Sequence, residues 1–468
     1  MIRILFTILL LICVEVQVNA YELFLPKSKY NIVDTKYAFF VGKAHPLETV
    51  TINGHNIHTA SNGAFAYSYP LSEGENRIMV RSQYETQVYT FIKQSPKTIE
   101  PPQTEEFDTI KAFVQEDNTP LRSTPIDAGL NRIGHLFKGT ELLVNGSQGD
   151  FYRVFLSKDK IGWIAKKHVC LCENTEFKGA EFIDMKNKRY KNATVQTISF
   201  DKNLPYTIED KKKEIIFRIY NPELSEDSVY NLTVPKPEKY TCHIDLKDGV
   251  YTFKVKSLPQ KLKDCVVVID AGHGGSEKGA IGCLGDEEKN INLKIALELK
   301  EKLLEKGINV VLTRELDCDV PLYDRTKIAK DNDADIFISI HLNSIPDIPM
   351  DIHRNRGTSV YYFNNNSKEL ATCMEKTVPH YAHTAHDGVK TASLAVIRPY
   401  NYIGILVETA YMTNPFDSVL YTSPKFSQNA AEGILKGLEA FYHNESAEKL
   451  KFRDFSGLNE SSPQNDET

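Results

Sequence analysis

A chain of 468 residues is too long for one hydrophobic core, so two to four domains are expected. Hydrophobic residues make up 41% of it and charged residues 25%, values ordinary for folded domains. The formal charge of −6 argues against a nucleic-acid-binding protein, which would carry a basic face.

The first predicted element is an export signal. Arg3 is a minimal positive start, Ile4–Val14 is a short apolar run, and Val18-Asn19-Ala20 supplies compact residues at a cleavage site. The run is short for a bilayer span and Glu15 interrupts it. Residues 1–20 therefore read as a signal peptide, and no transmembrane segment is expected in the mature chain. Loss of Cys13 with this leader leaves seven of the eight cysteines. They are scattered, and Cys170-Leu171-Cys172 is not a C-x-x-C pair. They read as small buried hydrophobes with one or two bridges among them.

Residues 21–95 alternate short apolar runs with tight-turn signals at Asn53-Gly54, Asn62-Gly63 and Gly74-Glu75-Asn76. This spacing predicts a small β-sandwich, and the segment resembles immunoglobulin-like modules of secreted bacterial enzymes. Residues 96–108, rich in proline and acid, read as an extended linker. Residues 109–173 are β-rich again and resemble the bacterial Src-homology-3-like barrel. Trp163, the only tryptophan, is either barrel core or a stacking platform. Residues 174–260 predict a third small β-rich module. From residue 261 strands such as CVVVID, INVVLT, DIFISIH, TSVYYF and IGILVET alternate with helical stretches to residue 443. The tail, 444–468, is polar and reads as disordered. The expected fold class is multidomain: β-sandwich and small β-barrel modules, then an α/β domain with a mostly parallel twisted sheet flanked by helices.

The chemistry gathers in the α/β segment. A β-branched run drives into Asp270-Ala271-Gly272-His273-Gly274-Gly275, placing His273 at a strand's C-terminal edge, where open α/β sheets hold ligands. Glu288 opens an amphipathic helix in which Ile291, Ile295, Leu299 and Leu303 recur every four residues and Gly307 marks the stop. His341 ends the apolar strand 335–341, and Glu408 ends another at 403–407. An unpaired carboxylate there is expensive and needs a charged partner or a raised pKa. Each residue taken alone has an ordinary structural role. Together, two imidazoles and one carboxylate leave a fourth zinc position open, as in catalytic sites. Glu408, outside the ligand set, is then the candidate to carry a proton. In HYAHTAH, His380, His383 and His386 would share one helix face, but Pro379 and Asp387-Gly388 bracket them too closely for a stable helix.

Residues 263–443 resemble the catalytic domain of zinc-dependent N-acetylmuramoyl-L-alanine amidases. The resemblance rests on DAGHGG, Glu288-Lys289, SIHLN and VETAYMTNP, with VVLTRELDCDVPLYDRTKIA between the two histidines. It implies one Zn2+ per catalytic domain, held by His273, Glu288 and His341, with Glu408 as catalytic acid/base. Lys289 favours Glu288 over Glu287 as the ligand. Glu277 and Ala410 depart from the family's usual aspartate and glycine. The resemblance further implies an exported hydrolase, in the periplasm or the cell wall, that cleaves the amide between N-acetylmuramic acid and L-alanine of peptidoglycan. The alternatives are a zinc peptidase or deacetylase on another wall polymer, or a silent wall-binding protein. The interval from His341 to Glu408 is filled by a loop at 343–356, a strand at 358–363, a helix near 367–378 and a strand near 394–397. That leaves little chain for an occluding helix, and no protein activator is expected to be required.

Overall fold

The computed structural model describes residues 21–46, 48–94, 102–172, 178–222, 227–344 and 355–443. The expected leader, most of the expected loop at 343–356 and the expected tail lie outside them. The described residues fall into two compact units, the first holding residues 21–94 with Gly282–Gly285, the second nearly all the rest.

In the first unit a three-stranded sheet (Tyr21–Leu25, Tyr37–Ala44, Ala64–Pro70) and a five-stranded sheet enclose one core. Phe40, Val50, Ile52, Phe65, Ile78 and Val80, each fully buried, fill it. Asn53 and Gly54 both have positive φ, 46° and 84°. They close the two-residue hairpin between Thr49–Ile52 and His55–His58, as the Asn-Gly pair favours.

The second unit begins with a seven-stranded antiparallel sheet running from Glu105–Val114 to Val169–Cys172. Its first strand enters the segment expected to be linker. The reason is local: Glu105 and Glu106 pair with Ser147 and Gly146 on the neighbouring strand, and Arg153 ties Glu106 at 2.8 Å. Trp163 is 6% exposed, which makes it packing rather than platform. A four-stranded and a three-stranded sheet follow, between Phe182 and Ser257. The spans 109–173 and 174–260 were expected as separate modules. One apolar cluster runs through both, from Ala112 to Val255. None of the seven cysteines after the leader is in a disulfide, and Cys242, Cys265, Cys283 and Cys373 are buried.

The C-terminal part is a six-stranded mixed sheet between helices. In chain order its elements are β1 (Val266–Ala271), α1 (Glu288–Glu305), β2 (Asn309–Leu312), α2 (Leu322–Asp331), β3 (Ile336–Asn343), β4 (Thr358–Tyr362), α3 (Lys368–Ala382), β5 (His386–Thr391), β6 (Ile403–Tyr411), α4 (Pro415–Tyr421) and α5 (Phe426–Tyr442). The strand order is β2-β1-β3-β6-β4-β5. All pairs are parallel except β4 against β6. On one face α1, α3 and α5 cover Val267, Ile269, Ile338, Ile340 and Ile405. On the other, Ala329 of α2 packs with Val268, Phe337 and Leu406. Strands buried on both faces must be apolar throughout, which explains their continuous Val/Ile runs. The stretch near 394–397, expected as a strand, is a 3-10 turn at Ala395–Ile397, and the edge strand is β5 instead. No helix among the described residues is long and apolar enough to cross a membrane.

Candidate metal centre

The centre is built on the C-terminal ends of the central strands. After β1 the chain turns sharply: His273 has φ 59°, a left-handed conformation that non-glycine residues adopt only when held there. Two buried guanidiniums hold it. Arg325 Nη1 donates to Asp270 Oδ1 at 2.7 Å and to the Ala271 carbonyl at 2.9 Å, while Nη2 reaches the His273 carbonyl at 2.9 Å. Arg314 donates to the carbonyls of Ala271, Gly272 and Lys289. Asp270, 1% exposed, also accepts from Thr313 Oγ1 and Ser339 Oγ at 2.7 Å each. The donors and acceptors of this buried network are directed at main chain or at one another, which makes it rigid.

His273, Glu288 and His341 offer ligand atoms that all lie within 4.8 Å of one another. His273 Nε2 is 3.2 Å from Glu288 Oε2, and His341 Nδ1 is 2.9 Å from Glu288 Oε1. The other ring nitrogen of His273, Nδ1, meets Glu277 Oε1 at 3.0 Å. A carboxylate in that place fixes a ligand imidazole's tautomer and direction. Glu288 is 3% exposed and sits at the first residue of α1. Its oxygens also accept from the main-chain N–H groups of Ala280 and Leu342 and from Asn292 Nδ2. Burial alone would raise the Glu288 carboxyl, but the two imidazoles hold it well below the usual carboxylate range. Burial likewise works against a charged His341, yet Glu288 lifts that imidazole to about 9. Two imidazoles gathered around one buried carboxylate give the donor set N, N, O that suits zinc.

Close approach requires two glycines at this centre. A Cβ on Gly272 would lie 2.2 Å from the His341 ring, and one on Gly279 would lie 2.4 Å from Glu288 Oε2.

Glu408 pairs directly across from His341 in the β3–β6 ladder. Its Oε2 is buried without a hydrogen-bond partner in the described protein. Burial is the main cause of its pKa rising to about 7, with the His341 charge opposing. The turn after β6 is held by Asp417, which accepts from the N–H groups of Gly357 and Tyr411 at 2.6 and 2.8 Å. Asn414 caps α4 by accepting from Phe416 and Asp417.

The structure thus brings His273, Glu288, His341 and Glu408 to neighbouring ends of β1, α1, β3 and β6. Glu287, the other acid of the pair, turns away to Lys278 and Lys289. Of the HYAHTAH histidines, His380 lies in the last turn of α3, His383 is its left-handed cap, and His386 begins β5 beside Glu375. They do not share a helix face. Pro379 does not stop α3, which continues to Ala382. Sequence reasoning missed Arg314, Arg325 and Asn292. The available signal was arginine and asparagine within otherwise apolar, chemistry-bearing segments.

The family model described as N-acetylmuramoyl-L-alanine amidase matches residues 267–440. Over 180 residues the chain is 35% identical to the Bacillus subtilis protein YqiI, covering 38% of this chain and 84% of that one. It is 33% identical over 183 residues to the probable cell wall amidase LytH of Staphylococcus saprophyticus, covering 39% of this chain but only 60% of LytH. Among solved structures, the catalytic domain of CwlV, an N-acetylmuramoyl-L-alanine amidase from Bacillus (Paenibacillus) polymyxa, is 32% identical. That match covers 38% of this chain and 98% of the other, with a TM-score of 0.36.

Proposed function

The chain belongs to the N-acetylmuramoyl-L-alanine amidase family, and from that premise we propose that it is an exported zinc hydrolase cutting the amide between N-acetylmuramic acid and L-alanine of peptidoglycan. The observation that carries the proposal is the convergence of His273, Glu288 and His341 with a buried, partnerless Glu408 oxygen beside them.

His273 Nε2, Glu288 and His341 Nδ1 would hold one zinc ion, which when bound polarises a carbonyl and acidifies water. Glu277 keeps the Nδ1 proton of His273 in place, so that Nε2 presents its lone pair. Glu408, which burial keeps close to neutrality in its affinity for protons, takes one from the attacking water and delivers it to the leaving L-alanine nitrogen. A C–O bond forms, the C–N bond breaks, and Glu408 ends as it began. The N-terminal β units hold the enzyme on the wall, and the catalytic part works without a protein activator.

Chelation tests the reading. Stripping the full chain of metal should abolish release of soluble peptide from peptidoglycan, and stoichiometric zinc should restore it. Undiminished activity in the stripped, metal-verified protein would exclude zinc from the hydrolysis.

A further inference from the structure

The second unit contains a cavity of about 770 Å³ that lies apart from the metal centre. Arg132 and His135 line it from the β-rich region, and Tyr323, Arg398 and Tyr400 from the α/β region. None of His273, Glu288, His341 and Glu408 borders it. Its volume lies within the range of small-ligand sites, about 300–1,000 Å³.

Two arginines set this cavity apart. Arg132 Nε and Arg398 Nη1 are both buried and lack any hydrogen-bond partner. Among the described residues neither guanidinium is in an ion pair. Three other guanidiniums of this unit are engaged. Arg122 bonds Asp127, Asn131 and the Ala128 carbonyl, and Arg325 and Arg314 hold the loop at His273. A buried cationic donor without a protein acceptor is costly, and a ligand oxygen would satisfy it.

Among the described residues no acid at the cavity wall is paired with either arginine. Glu209 is engaged by Arg218 at 2.9 Å, Asp245 by Lys330 at 3.0 Å, and Asp117 accepts from the Lys138 main chain. Lys330 is thereby also occupied, and the two planar guanidinium forks remain open to a ligand. Planar forks match a carboxylate better than they match a point-like partner. Tyr206 and Phe137, with ring centroids 5.7 Å apart, add an apolar wall suited to side chains.

We propose that this cavity binds a carboxylate of a peptidoglycan stem peptide through Arg132 and Arg398, holding the polymer at a second point away from the metal centre. The proposal rests on the hydrolase reading for its choice of ligand.

The test uses the full chain and a dye-labelled synthetic stem tripeptide with free carboxylates, followed by fluorescence anisotropy. This probe lacks the muramyl amide and is not cleaved, so binding is read whether or not the chain is an amidase. Arg132→Gln and Arg398→Gln should each weaken binding about tenfold or more, the loss of a charge-assisted hydrogen bond. Arg132→Lys should fall between wild type and Arg132→Gln. His273→Ala should bind like wild type. Independently of any variant's folding, the same peptide with its carboxylates amidated should bind the wild-type chain about tenfold or more weakly, and inorganic phosphate should not displace the free-acid peptide. Equal binding of the amidated peptide, an unchanged Kd in both folded Gln variants, or displacement by phosphate would each overturn the proposal. Failure of peptide binding with intact wall hydrolysis would sink the cavity alone. Arg-dependent binding without hydrolysis would sink the amidase reading alone.

Discussion

Glu408 stands directly opposite His341 on adjacent parallel strands, and one of its oxygens is buried without a partner. This places an ionisable acid against a ligand-type imidazole at the floor of the candidate centre. Its energetic consequence can be measured before any catalysis is assayed. In the metal-free protein the folded-state pKa is about 7, against an ordinary 4.5. Below pH 4.5 the acid is protonated in both folded and unfolded chains and contributes no penalty. As pH rises towards 7 the unfolded chain releases its proton first, and folding loses up to about 3 kcal/mol. Glu408→Gln cannot ionise. The chelated variant should therefore be more stable than the chelated wild type at about pH 8, with the gap closing by about pH 4.5. Denaturant unfolding at the two pH values checks this, and a gap independent of pH would contradict it.

The Asp270–Arg325 pair holds the His273 turn from beneath. Arg325→Met leaves Asp270 buried with only two hydroxyl donors and removes one of two guanidinium donors from the Ala271 carbonyl and the guanidinium from that of His273. Breaking a buried pair from one side should cost about 3–5 kcal/mol. A loss below about 1 kcal/mol, what an exposed pair contributes, would show that the network is not what fixes the turn.

Glu277 is a departure from the family pattern that the geometry puts to use, because its Oε1 accepts from His273 Nδ1. Glu277→Ala should retain the fold and weaken zinc binding by about 10–100-fold, the usual effect of removing such a partner. Competition with a calibrated zinc chelator measures it. Unchanged affinity would mean that the Gly-rich turn alone orients the ring.

Gly272→Ala tests the close approach of β1 to the second histidine. The added Cβ would sit 2.2 Å from the His341 imidazole, so the ring must swing away. Zinc content of the purified variant should drop sharply with little change in far-ultraviolet circular dichroism. Full zinc occupancy would show that the strand yields instead.

Much of the centre was legible because its residues interrupt strong patterns. Runs such as Val266–Ile269 and Ile336–Ile340 can only be strands buried on both faces, so His273 and His341 at their ends stood out. The spacing of Ile291, Ile295, Leu299 and Leu303 placed Glu288 at a helix start. What stayed hidden depends on contacts distant in sequence. Arg325 meets Asp270 across 55 residues and Arg314 meets Gly272 across 42, and an isolated arginine reads as surface. The strand at 105–114 was masked by an acidic, proline-flanked composition that its partner strand overrides. The shared core of residues 112–255 was hidden for a related reason. Two short β-rich segments look alike whether they pack alone or together.

The most direct measurement is mass spectrometry of intact peptidoglycan digested by the zinc-loaded chain and by zinc-loaded Glu408→Gln. The wild type is expected to release peptides with a free L-alanine amine and to leave the glycan strands whole. Glu408→Gln should keep its zinc and lose about 100-fold or more of that rate, the share of a general acid/base. Cleavage at any other bond, or near-normal L-alanine release by the zinc-bound Glu408→Gln protein, would contradict the assigned chemistry.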